Sequence, residues 1–111
     1  MRIKLSPDAN IGIELYMIKA GDALSVNGEY FDFSPMGSGD TLPVSAITSA
    51  WFRSDVEKMD DGELIITIAL PNGSNASPEQ KFPEDLVSVP DGPVVLPQPL
   101  QAIQPPVEGG A

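Results

Sequence analysis

The chain has 111 residues, with 16 acidic side chains against 6 basic ones, a net charge of -10, and neither Cys nor His. That balance disfavours nucleic acid or an anionic membrane surface as the main partner, because phosphate would repel it. It suits a basic protein partner, or simply a well-solvated acidic surface. Without Cys there is no disulfide and no thiolate, and without His the commonest general base and metal ligand are missing, so neither a zinc site nor any cofactor is expected.

The length fits one domain, and 41% hydrophobic residues is too many for wholesale disorder. No segment reaches the ~20 apolar residues that span a bilayer. The opening MRIKLSPDAN has basic residues but no apolar core of a secretory signal behind them. The expectation is a soluble protein held in a cytoplasm at first.

Arg2 to Leu5 alternates basic and apolar residues and predicts a short strand with Ile3 and Leu5 inward, stopped by Pro7. Asp8-Ala9-Asn10 reads as a turn. In residues 11–20, Ile11, Ile13, Leu15 and Met17 alternate with Gly12, Glu14 and Tyr16, which predicts a second strand, with helix as the competitor. Residues 22–33, DALSVNGEYFDF, are a β-hairpin written in sequence. Asn27-Gly28 between alternating runs is the strongest short-range hairpin signal, since a type I′ turn needs positive φ at both central residues. The register then pairs Val26 with Glu29, Ser25 with Tyr30 and Leu24 with Phe31, and it puts Leu24, Val26, Phe31 and Phe33 on the core face.

Residues 34–42 are a Gly- and Ser-rich loop. Residues 43–51 predict a short helix capped by Asp40 or Thr41, with Pro43 in its first turn and Val44, Ile47 and Trp51 near one face. Trp51-Phe52 reads as an apolar plug over the open side of the sheet, or as an apolar contact surface. Residues 55–70 are a second hairpin whose turn is either Asp61-Gly62 or a three-residue version that includes Asp60 with Gly62 left-handed. Its second arm, residues 64–70, is the most apolar run and predicts the central strand. Residues 71–77 are a loop. Residues 78–85 read as irregular, with Phe82 anchored on the core, and residues 86–89 and 94–96 flank a tight turn as a last edge hairpin.

The fold class expected is therefore mostly β, a small antiparallel sheet or sandwich built from hairpins, with one short helix and an extended Pro-rich C-terminal arm. Half of the chain's 12 Pro lie between Pro90 and Pro106. This places a boundary between a small β domain, residues 1–96, and the arm, residues 97–111, which has polyproline II or coil character. Leu96, Leu100, Ile103 and Val107 recur at three- and four-residue steps, and with Pro97, Pro105 and Pro106 they form a candidate docking arm for a neighbour's groove.

No catalytic site is expected. Asp60 and Asp61 sit in a turn that favours Asp for its local hydrogen bonds, and neither Glu84 with Asp85 nor Asp55 with Glu57 has the spacing of a carboxyl pair facing across a cleft. The loop Gly37-Ser38-Gly39-Asp40 lacks the Lys of a phosphate loop, and Asp60, Asp61 and Glu63 supply too few oxygens for calcium. The chain does not read as an enzyme.

Residues 27–52, NGEYFDFSPMGSGDTLPVSAITSAWF, resemble small proteins encoded in the tail modules of tailed bacteriophages and prophages. The pattern runs N-G-E-x-F-D-F-S-P, then G-D-T-L-P, then a segment ending in W-F. It continues with Leu70-Pro71-Asn72-Gly73, Ser77-Pro78-Glu79-Gln80, Phe82-Pro83-Glu84 and Asp91-Gly92-Pro93, and so covers most of residues 1–96. The resemblance implies a structural component of a phage tail, at the tail tip, baseplate or fibre attachment. The partners would be baseplate or fibre subunits, with multiple copies in a symmetric assembly, located in the virion and in the host cytoplasm during assembly. A tail-fibre assembly chaperone absent from the mature virion is the alternative.

Overall fold

The computed structural model describes residues 1–100. Within them run strands β1 (Arg2–Asp8), β2 (Met17–Ala20), β3 (Ala23–Val26), β4 (Glu29–Asp32), β5 (Thr41–Leu42), β6 (Val56–Lys58), β7 (Leu64–Pro71) and β8 (Gly92–Pro93), with one α-helical turn, α1 (Pro78–Lys81). They form two four-stranded sheets, ordered β1-β7-β6-β5 and β4-β3-β2-β8. Both contribute to one core: Ile3, Val56, Leu64, Ile66 and Ile68 from the first meet Met17, Leu24 and Val26 from the second. The fold is mostly β and hairpin-built, as the sequence predicts.

The first hairpin has the predicted register, with Val26 opposite Glu29, Ser25 opposite Tyr30 and Leu24 opposite Phe31. Asn27 (φ 49) and Gly28 (φ 87) are both left-handed, as a type I′ turn requires. Leu24, Val26 and Phe33 are buried, Phe31 packs at the edge of the core, and Tyr30 faces solvent. In the second hairpin Lys58 pairs with Leu64, and Met59 N–H donates to Glu63 O at 2.8 Å. This leaves Asp60-Asp61-Gly62 as a three-residue turn with Gly62 at φ 88.

The apolar second arm is interior: β7 lies between β1 and β6. Leu64, Ile66, Ile68 and Leu70 are no more than 2% exposed. One pairing is not antiparallel. β1 runs parallel to β7, with Ile3 opposite Ile66 and Leu5 opposite Ile68. Parallel neighbours need a long connection, and here the intervening residues build β2 to β6.

Several elements differ from the sequence reading, each for a local reason. Pro7 does not stop the first strand, which continues to Asp8 with Pro7 opposite Leu70. β1 is a sheet edge, where a missing N–H costs little. The strand expected over residues 11–20 is only Met17–Ala20. Its partner β3 ends at Val26, and the hairpin turn then seizes the segment before Met17. Tyr16 N–H donates to Asn27 Oδ1 at 2.6 Å, and Asn27 Nδ2 donates to Glu14 O at 2.9 Å.

The helix expected over residues 43–51 shrinks to one 3-10 turn, Val44–Ala46, with no buried residue and no side-chain cap. Asp40 bonds Gly37 N–H instead, at 2.7 Å, and Thr41 is drawn into β5 opposite Glu57. The α-helical turn lies where an irregular segment was expected. Ser77 and Gln80 form a reciprocal capping box around it. Phe82 follows as its C-cap and is 83% exposed, so it is not a core anchor. Leaving such a ring in water forgoes roughly 1.5–3 kcal/mol of burial. Residues 86–89 and 94–96 form no hairpin. Leu86 bridges to Ile3, while β8 pairs with β2 at Ile18 and Lys19. The edge position of Pro93 is as predicted.

Candidate binding site

The candidate docking arm follows Val94 and Leu96, which are partly buried against the core. Val94 N–H still donates to Met17 O at 2.9 Å. Pro97 and Pro99 have no N–H, so the backbone of residues 97–100 can be fixed only through other groups. Two residues of the preceding loop do this. Ser77 Oγ accepts from Gln80 N–H at 3.2 Å as helix cap and donates its own hydrogen to Gln98 O at 2.6 Å. Asn75 makes a two-point clasp: its carbonyl accepts from Leu100 N–H at 2.8 Å, and its Nδ2 donates to Leu100 O at 2.9 Å. Ser77 is buried, whereas the Leu100 side chain is half exposed.

The arm root also separates two hollows. One, of about 380 Å³, lies between Ile11, Leu15, Leu70 and the Leu96–Pro97 segment. The other, of about 680 Å³, lies between α1, residues 84–86 and the same Leu96–Pro97 segment. Of the arm residues read as docking contacts, Leu96 and Pro97 line both hollows, and Leu100 is held at Asn75. Ile103, Pro105, Pro106 and Val107 lie outside the described residues.

Trp51 and Phe52 do not join them. Phe52 is buried, edge-to-face on Phe31 with centroids 4.7 Å apart and on Phe33 at 6.0 Å, and it bridges to Ile68. It closes the core between the sheets and is not free for a partner. Trp51 is partly buried beside it.

Three of the candidate carboxylates, Asp61, Asp55 and Asp85, are spent on the fold. Asp61 accepts Glu63 N–H at 3.0 Å and Asp55 accepts Val44 N–H at 2.8 Å. Asp85 pairs with Arg2 at 3.3 Å. The carboxyl of Asp91 is lowered from its ordinary value, first by its hydrogen bond from Lys19 and then by Gly21 N–H. Asp32 is lowered by bonds from Ser34. Among the described residues no cluster of His, Cys, Asp and Glu is placed to hold a metal ion, and no helix is long and apolar enough to cross a membrane.

No family model matches the chain, and neither a curated protein nor a solved structure matches it. Sequence reading missed Asn75 and Ser77, taking residues 71–77 as a plain loop. A signal for Ser77 was present, because Ser77-Pro78-Glu79-Gln80 has the capping-box spacing. Nothing local marks Asn75.

Proposed function

We propose that this protein is a structural component of a bacteriophage tail, at the tail tip, baseplate or fibre attachment, acting by protein–protein binding through its C-terminal arm. The phage-tail assignment rests on the resemblance of residues 27–52 and the later segments to tail-module proteins. The binding mode rests on one observation, the double anchorage of residues 97–100 by Ser77 and Asn75. An arm whose first residues are already fixed loses less conformational freedom on docking. Repeated copies in a symmetric tail would multiply the gain.

The anchorage also sets where to cut. Truncation after Leu100 keeps both clasps and removes residues 101–111. The truncated protein should melt like the full chain and fail to enter tail particles. Normal incorporation would overturn the arm reading. Mass spectrometry of purified virions separates a tail component, present in stoichiometric amount, from an assembly chaperone, which would be absent.

A further inference from the structure

The larger hollow beside the arm root has a composition that the arm does not explain. Phe82, 83% exposed, and Val95, 85% exposed, both line it. Leu86 and Leu96, both partly buried against the core, also line it. Exposed apolar residues scattered singly need no explanation, but several lining one groove mark an interaction site. Glu79 and Glu84 line the same groove. Unlike Asp85, neither meets a cation among the described residues. The only Lys near in sequence, Lys81, does not line it.

We infer that this groove, at Phe82 and Val95, receives a partner segment that presents a large apolar side chain flanked by Lys or Arg. Other occupants fit less well. The chain's own residues 97–111 contain no Lys or Arg, and their single charge is Glu108, so they leave the two carboxylates unmatched. A second copy brings a net charge of -10 and the same acidic groove against the first, which disfavours self-association. Phosphate and anionic lipid are repelled for the same reason. A basic segment is drawn in by the overall field, its apolar side chain displaces water from Phe82 and Val95, and its cations meet Glu79 and Glu84. A cation set over the ring face of Phe82 would add to the attraction.

The inference does not depend on the tail assignment, and its test uses no phage particle. The full-length protein is titrated into a fluorescein-labelled hexapeptide with a central Leu-Trp pair flanked by two lysines on each side. The control peptide carries glutamates in place of the lysines. The lysine peptide should bind and the glutamate peptide should not. Phe82→Ala should weaken binding about ten-fold or more, as loss of a central anchor does. The Glu79→Gln/Glu84→Gln double variant should weaken it several-fold and flatten its salt dependence. Because Phe82, Glu79 and Glu84 are exposed, these variants should keep the parent's melting temperature. A lysine peptide that fails to bind at about 1 mM overturns the inference. So does equal binding of both peptides, or binding that Phe82→Ala leaves unchanged. Sedimentation showing a dimer lost in Phe82→Ala would give the groove to a second copy and overturn the basic-partner reading.

Discussion

Replacing Phe52 with Ala tests whether the two sheets are held by one aromatic joint. Phe52 is 3% exposed. Its ring meets Phe31 and Phe33 from the hairpin of the second sheet, and its backbone bridges Ile68 in the first. Removing a fully buried Phe side chain costs about 3–5 kcal/mol, transfer and cavity together. Within that, each edge-to-face pair contributes ~0.5–1.5 kcal/mol beyond simple burial. A domain of this size has about 5–15 kcal/mol in total, so Phe52→Ala should lower the melting temperature by on the order of 20 °C. Phe52→Leu keeps much of the volume and loses only the ring geometry, so it should cost about 1–2 kcal/mol. The assay is urea unfolding followed by the fluorescence of Trp51, the sole Trp and the adjacent residue. A Phe52→Leu, Phe31→Leu double-mutant cycle would isolate the ring pair, with a coupling of about 0.5–1.5 kcal/mol. A loss below about 1 kcal/mol for Phe52→Ala, with the unfolding slope unchanged, would refute the joint.

Two further outcomes follow from the anchors. Ser77→Ala removes a helix cap and the donor to Gln98 O together, so it should cost about 1–2 kcal/mol and speed amide exchange at Leu100; a stability loss with unchanged exchange there would show that Ser77 does not hold the arm root. Asp91 has a folded pKa depressed below 3.8 by Lys19, so its stabilisation is present above the usual carboxylate range and is lost as pH falls through the folded value. The stability gap between the parent and Asp91→Asn should be full near pH ~7 and close below about pH 4, and a gap that persists in strong acid would count against the Lys19 bond.

The parts of the fold legible in the sequence were those set by local turn chemistry. Asn27-Gly28 admits few conformations, so it fixed the pairing from Val26–Glu29 outward. Gly62 marked the second turn, but the choice between two and three loop residues depends on how Met59 meets Glu63, and alternation alone does not say. The parallel pairing of β1 with β7 was not legible. The alternation of Ile3 and Leu5 states which face is buried and not which strand lies alongside or in which direction. Residues 11–16 fail for a related reason. Their alternating pattern is genuine, but a strand needs a partner, and β3, which pairs with Met17–Ala20, ends at Val26 where Asn27 begins the turn.

The proposed arm stands out in the sequence by its proline density and by the apolar steps at Leu96 and Leu100, and its anchorage does not. What holds it is a serine and an asparagine some twenty residues upstream in the loop before α1. Ser77 is readable as a helix cap, yet a cap oxygen that accepts one hydrogen bond still has a hydrogen to donate, and the sequence does not say to whom. The same limit explains Phe82. An aromatic residue in a polar stretch is most economically read as a core anchor, since burial rewards it. Its exposure beside Val95 runs against that reward, with Glu79 and Glu84 lining the same hollow. A ring kept in water at this cost, beside two unpaired carboxylates, is intelligible as half of an interface whose other half is apolar and basic.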